Sequence, residues 1–291
     1  MDIVKDKSNW KNRCHSFLSD IMARILGQRI NYMFRYLSNR GRFPNFRNPK
    51  DLSERILSSM LRDDFLQFAY FADKVKVRNY VASKGLEHIL LEQYGNWEKA
   101  DDIDWDKLPQ SFVLKANNGS GGHFICLDKS KVDRTSVISS MDDILDVSKL
   151  KIVEPHYGAI EPRILCEELL GDGVTLPTDY KFTCVKGKIA DIFVVSERKS
   201  GAKYSTMDEN WNLLPYTKKE FMPKNIPSKP LHLKEMIEIV KVLSADFEFV
   251  RVDLYDTEKG VFFGELTFSP WGGIMNSYTN EALSIIGDMF E

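Results

Sequence analysis

The chain has 291 residues, 43% of them hydrophobic and 28% charged, with a formal net charge of -2. That length suits two domains of roughly 100–200 residues each. The near-neutral balance excludes a protein that grips nucleic acid or an anionic surface through its overall charge, and no run approaches the roughly 18 apolar residues of a membrane span.

Residues 1–10 are polar and charged, without the apolar stretch of a secretory leader. The four cysteines, Cys14, Cys126, Cys166 and Cys184, have no CxxC or other metal-ligand spacing. Three of them lie in apolar runs, where a free thiol behaves as a small hydrophobe. Reduced cysteines and a cytoplasmic location are therefore expected.

Residues 9–40 place Trp10, Phe17, Ile21, Ile25, Ile30, Phe34 and Leu37 at helical spacing. Arg13, Arg24, Arg29, Arg35, Arg40 and Arg42 make the segment basic. A packed helix with a solvated face is the favoured expectation, and weak peripheral association with a membrane is the alternative such helices allow. A turn-rich connector at 43–49 leads to a helix opened by Asp51 or Ser53 as N-cap. Helical patterns follow over 63–71 and 73–84, with Gly85 as the stop. Residues 88–91 read as a short strand and 97–109 as an acidic connector. Residues 111–115 form a strand that runs into the glycine-rich turn 116–122 and a second strand, 123–127. That order is a hairpin, and it lacks the GxxxxGK[ST] sequence of a P-loop. Residues 130–150 read as helix and 164–170 as strand. Residues 180–185 and 189–195 pair around Lys186-Gly187-Lys188. A helix covers 231–243, and strands 249–255 and 261–268 pair around residues 256–260. Helices come first, then antiparallel strands with interspersed helices, which is an α+β pattern.

Three features carry chemistry. In the turn 117–122, glycines let backbone N–H groups approach phosphate oxygens, and Lys115 adds an ammonium at the end of the preceding strand; a plain hairpin turn has the same residues. Asp179 and Lys181 point to one face of a strand, which on its own is equally a surface ion pair. The third feature is residues 251–255 with 263–267. Arg251, Asp253 and Tyr255 share one face, as do Glu265 and Thr267 on the next strand, so pairing brings Asp253 close to Glu265. Facing carboxylates repel unless a cation sits between them. Magnesium takes oxygen ligands, often one or two carboxylates plus substrate phosphates; the alternative is Arg251 bridging the two acids. Together the three features ask for a nucleotide with magnesium.

The order of motifs extends this reading: Ala72-Asp73-Lys74 with Val77-Arg78, Phe112-Val113-Leu114-Lys115 with Asn118-Gly119-Ser120-Gly121, Glu167-Glu168, Asp179-Tyr180-Lys181-Phe182, and residues 249–255 with Gly264-Glu265-Leu266-Thr267-Phe268. In these the chain resembles the ATP-grasp superfamily and, within it, the TupA-like group named for teichuronopeptide biosynthesis. The resemblance implies the ATP-grasp fold, two antiparallel-sheet subdomains clasping ATP after an N-terminal helical region, with divisions at 1–108, 109–170 and 171–291. It implies Lys115 on the α-phosphate, and Asn118, Gly119, Ser120, Gly121 and Gly122 as the loop over the phosphates. Glu167, Glu168 and Leu170 would be the hinge that reads adenine. Lys181 and Arg198 would face the phosphates, Arg251 would stabilise a tetrahedral intermediate, and Asp253, Glu265 and Thr267 would bind Mg2+. Thr267 stands where the superfamily's usual third ligand is asparagine. The implied activity is ATP-dependent joining of a carboxylate to an amine through an acyl phosphate. The implied substrates are a uronic-acid carboxylate of a surface polysaccharide and an amino acid or small amine, with no nucleic-acid partner. Two other enzyme classes remain as alternatives: a glycosyltransferase of polysaccharide assembly, which would be expected to carry a DxD spacing, and an ATP-dependent phosphotransferase. A non-catalytic binding module is disfavoured by the intact set of lysines, arginine and acids.

Overall fold

The structure is a computed structural model that describes residues 26–119, 122–145, 153–171, 177–196 and 201–291. In chain order its longer helices are α1 (Gln28–Arg40), α2 (Leu52–Met60), α3 (Val77–Ser83), α4 (Arg134–Leu145), α5 (Leu233–Ser244) and α6 (Asn280–Asp288). One antiparallel sheet holds β1 (Gln93–Trp97), β2 (Phe112–Ala116), β3 (His123–Cys126) and β4 (Ile164–Glu167), in the order β1-β4-β2-β3. The other holds β5 (Asp179–Val185), β6 (Lys188–Ser196), β7 (Lys203–Met207), β8 (Phe249–Thr257) and β9 (Gly260–Thr267), in the order β7-β6-β5-β8-β9. The backbone divides into two compact units, one around each sheet. The N-terminal third is shared between them, because 66–80 belongs with the four-stranded sheet and 32–65 with the five-stranded one.

In the first unit, β2 buries Phe112, Leu114 and Ala116 and leaves Val113 and Lys115 half-buried, the alternation of a strand with one face on a core. Phe112, Leu114, Phe124, Cys126 and Cys166 pack against Val137 and Met141 of α4. Trp105 and Leu108 fill the same core, so the stretch expected as a polar connector supplies two of its larger side chains. The strand expected at 88–91 is not formed. Glu87–Ile89 is a single 3-10 turn, and the chain becomes extended only at Gln93. In the QYGNW sequence of β1, Gly95 and Asn96 weaken the strand preference of Tyr94 and Trp97; pairing with β4 decides its conformation.

In the second unit, Phe182, Cys184, Ile192, Val194, Val250, Val252 and Leu254 are buried. Helix α5 packs on β5, β6 and β8, and its Ser244 meets the Cys184 thiol, so α5 covers this face. Lys186 (φ 50°) and Gly187 (φ 73°) make the β5–β6 turn, with two left-handed central residues as a tight hairpin requires. Asp51 is the N-cap of α2 and accepts from the Glu54 N–H at 2.9 Å. Arg42 donates to Asp51 at 2.8 Å and to Glu54 at 2.6 Å, and the buried Tyr36 hydroxyl also reaches Asp51. Glu54 further accepts from the Asn45 and Lys50 backbone N–H groups at 2.9 and 2.8 Å. Asp51 thus joins Tyr36 of α1 to the start of α2, and the buried Glu54 carboxylate ties the 42–50 connector to α2.

Cys126, Cys166 and Cys184 are buried free thiols. Burial pushes Cys166 up to about 12, so it is a packing residue and not a nucleophile. No helix among the described residues is long and apolar enough to cross a membrane. Of the basic N-terminal segment, Arg13 and Arg24 lie outside the described residues. Arg35 and Arg40 turn inward, donating to Gly272 O at 3.1 Å and Met275 O at 2.7 Å.

Candidate functional site

Strand register assembles a polar cluster on the sheet face opposite α5. Lys181 on β5 lies across from Asp253 on β8, which lies across from Glu265 on β9; Arg251 lies across from Thr267. Side chains alternate along a strand, so these residues and Asp179 project together. Arg251 is 7% exposed and Asp253 2%. Arg251 Nε donates to Asp253 Oδ1 and its Nη2 to Oδ2, both at 2.7 Å, a bidentate pair. The same Nη2 reaches Glu265 Oε1 and Thr267 Oγ1, each at 3.1 Å. The Thr267 hydroxyl donates to Glu265 Oε1 at 3.0 Å. Lys181 Nζ contacts both Asp253 and Asp179.

Two cations, Lys181 and Arg251, meet three carboxylates, Asp179, Asp253 and Glu265, leaving one negative charge in excess. Burial acts to lower the Arg251 pKa, but the carboxylates of Asp253 and then Glu265 outweigh it and hold the guanidinium above its ordinary range. Burial raises Asp253, against the opposing pull of Arg251 and Lys181. The cation between the facing acids is thus the Arg251 guanidinium. Of the two readings open from sequence, arginine bridging is the geometry present. The donor set still suits Mg2+: two carboxylates and a hydroxyl are hard oxygen ligands with charge to spare. The described residues hold no group of three or more His, Cys, Asp or Glu arranged for a metal, so such an ion would draw its remaining ligands from phosphate and water.

The four-stranded unit carries a second cluster. Lys115 Nζ pairs with Glu167 Oε2, and Arg78 reaches Glu167 Oε1 at 3.4 Å and Leu91 O at 2.7 Å. Asn117, at the start of the glycine turn, is fully engaged. Its Nδ2 donates to Asp73 Oδ1 and Glu161 O at 3.0 Å, and its Oδ1 accepts from the Arg163 N–H at 2.7 Å. Asn118 is the opposite case: it is 1% exposed, and neither atom of its amide has a partner among the described residues. A buried amide without partners loses hydrogen bonds it could make in water. Lys74 Nζ donates to Gly119 O at 2.7 Å, putting a second ammonium at the loop. Lys74 stood in a recognisable motif, but no local signal tied it to a loop 45 residues away. The Glu168 N–H donates to Glu92 O at 2.9 Å. Ser120, Gly121 and Arg198 lie outside the described residues.

Residues 54–291 match the family described as TupA-like ATPgrasp. The chain belongs to the TupA-like ATP-grasp family. The α+β architecture with two antiparallel sheets is the ATP-grasp fold of this family. Among solved structures, the TupA-like chain is similar to a D-alanine–D-alanine ligase from Bacillus anthracis, with 15% identity and a TM-score of 0.48 over 78% of this chain and 68% of that one. A D-alanine–D-alanine ligase from Helicobacter pylori gives 16%, 0.41, 75% and 61%. An L-amino acid ligase from Bacillus licheniformis gives 13%, 0.43, 78% and 49%. The chain therefore spans about two thirds or less of the length of these relatives. No curated protein matches it in sequence.

The TupA-like chain also buries an acid that its sequence did not single out. Asp191 on β6 lies opposite Thr183 and is wholly enclosed. It accepts from the Tyr278 hydroxyl at 3.1 Å, while its Oδ2 has no partner among the described residues. Burial pushes it up to about 7, and the hydroxyls of Thr183 and Tyr278 offset only part of this. The folded value lies above the unfolded one, so the native state is penalised as pH rises from about 4 to about 7. At about 1.4 kcal/mol per unit, the ceiling is roughly 4 kcal/mol. Asp191→Asn keeps the acceptor and removes the charge. Its unfolding midpoint is expected to exceed the wild type's by several degrees at pH 8, with the difference falling to about a quarter of that at pH 4.5; equal midpoints at pH 8 would show that Asp191 folds at no electrostatic penalty.

Proposed function

We propose that the protein is an ATP-dependent carboxylate–amine ligase that works with Mg2+ through an acyl phosphate. The observation that carries this is the buried Arg251 guanidinium shared by Asp253, Glu265 and Thr267, in a chain of the ATP-grasp family. Lys115, Lys74 and the Asn118 amide hold phosphate oxygens in this reading, and Gly119 to Gly122 keep the loop backbone open to them. Glu167, Glu168 and Leu170 form the adenine hinge. Asp253, Glu265 and Thr267 hold the metal, which when bound offsets the charge on the phosphate oxygens.

A carboxylate oxygen of the substrate attacks the γ-phosphorus; the bond to the bridging oxygen breaks, and ADP leaves with its electrons. Lys181, and Arg198 beyond the described segment, neutralise the transferred group. The amine nitrogen then attacks the acyl carbon. Arg251 holds the developing oxyanion, the carbon–oxygen bond to phosphate breaks, and the amine proton passes to solvent. We assign the carboxylate to a uronic acid of a surface polysaccharide or its precursor, the amine to an amino acid or small amine, and the compartment to the cytoplasm.

The test is release of ADP and free phosphate from Mg2+-ATP, assayed with uronates and amines separately and together. Release that needs both supports the ligase. ADP without free phosphate, the phosphoryl group remaining on the carboxylate or another acceptor, identifies a phosphotransferase. No ATP binding by the folded protein, with binding of a sugar nucleotide instead, identifies a glycosyltransferase.

A further inference from the structure

Trp271, Gly272 and Gly273 are three successive left-handed residues, with φ of 50°, 60° and 82°. Glycine adopts this conformation freely, whereas a residue with a Cβ does so under strain. Packing explains Gly273, where a Cβ would come within 2.7 Å of Leu57 on α2. Trp271 itself is 41% exposed, and its ring packs only in part, against Phe193 and Tyr204. Glycine or asparagine would take that backbone more readily, so a large, part-exposed indole held there is a candidate for function.

The ring has a rigid base. Phe193 meets it edge-on with centroids 5.1 Å apart, and Phe193 in turn stacks on the buried Tyr278 at 5.6 Å and 8°. The backbone beneath is pinned by Arg35 on Gly272 O and Arg40 on Met275 O. Arg251 Cζ lies 5.7 Å from the indole centroid. A strained, exposed aromatic surface is thus fixed beside the guanidinium to which the reaction gives the oxyanion. A flat apolar wall next to a few convergent charges is how a binding site recognises a ligand with an apolar face and a charged end.

We propose that Trp271 is the specificity-determining residue for the carboxylate substrate: its indole stacks on the C–H face of a sugar ring whose exocyclic carboxylate lies at Arg251. This rests on the ligase reading with a sugar acid. An open-chain carboxylate satisfies Arg251 alone, whereas a pyranose uronate satisfies both groups.

The experiment compares methyl glucuronide and methyl galacturonide with gluconate, an open-chain acid of the same charge. Hydroxylamine serves as the amine: its nitrogen displaces phosphate from the acyl phosphate to give a hydroxamate, read by colour with iron(III). Wild type is expected to favour one or both uronides over gluconate at least tenfold in kcat/KM. Trp271→Asn, which tolerates the left-handed backbone, is expected to lose that preference through KM for the uronide. Its KM for ATP should stay within twofold and its unfolding midpoint within a few degrees. Trp271→Phe should keep most of the preference; if Trp271→Asn does not fold, Trp271→Gly, which takes the left-handed backbone without strain, is read in the same way. Equal treatment of uronide and gluconate by wild type, or equal effects of the substitution on both, overturns it. Normal ATP binding without turnover of either uronide overturns the sugar-ring assignment and leaves the ligase reading standing. Absence of ATP binding overturns both.

Discussion

Asp253→Asn is expected to lower ATP turnover by about 10²–10³-fold or more, the scale of removing a preorganised charge from a reacting centre, while the protein stays folded. The fold should survive because charge remains matched. With Asp253 neutral, Lys181 and Arg251 face Asp179 and Glu265, two cations against two carboxylates. The asparagine oxygen can still accept from Arg251 Nε, which donates to Asp253 Oδ1 in the structure. What is lost is one of the two anionic oxygen ligands proposed for the metal. Single-turnover formation of ADP, measured beside a thermal melt, separates the two effects. Turnover near that of wild type in a folded variant would remove Asp253 from the site.

Arg251→Met is expected to impair both stability and activity. The substitution keeps much of the side-chain volume but leaves Asp179, Asp253 and Glu265 facing Lys181 alone, three carboxylates against one cation. Removing one partner of a buried ion pair typically destabilises by about 3–5 kcal/mol, because the other charge is left uncompensated. For a protein of this size that is a fall of roughly 10 °C in unfolding midpoint. Two rescues follow from the same electrostatics. Mg2+ without nucleotide should raise the midpoint of the variant more than that of wild type, because it can replace the lost positive charge between Asp253 and Glu265. Lowering the pH from 7 to 5 should narrow the gap. Burial already raises Asp253, and Arg251 is the larger of the two influences that oppose it, so the variant's acid protonates earlier. A midpoint unmoved by the substitution would mean that Arg251 does not balance these carboxylates.

The five-stranded sheet was largely legible in the sequence. In β5 and β8, and over residues 264–267 of β9, apolar and polar residues alternate, β6 carries the apolar run 192–195, and the turns at Lys186-Gly187 and Lys259-Gly260 fix where each strand must return. From that register the meeting of Asp253 with Glu265 follows directly. Other elements carried no such pattern. The KYSTM sequence of β7 has no run of buried apolar residues to announce it, and it is extended because β6 supplies its hydrogen bonds. Helix α6 did have a usable signal: Thr279 caps it, accepting from the Ala282 N–H at 3.1 Å, and Ala282, Leu283 and Ile286 form its buried stripe. Within the site, residue types were legible but not their partners. That Arg251 fills the gap between the acids depends on a side-chain conformation. That Lys74 reaches Gly119, and Trp271 lies over Arg251, depends on packing between distant segments, which no local periodicity encodes.

Helix α1 ends at Arg40, fourteen residues before the stretch that matches the family begins at Glu54. Yet Arg35 and Arg40 hold the carbonyls of Gly272 and Met275, and Tyr36 and Arg42 brace the cap of α2. The boundary drawn by family likeness is therefore not a boundary of folding. A chain trimmed to residues 54–291 would keep every metal and phosphate residue proposed above, yet it would release the segment that carries Trp271. The segment that precedes the family match is the one that anchors the wall on which choice of substrate is proposed to rest.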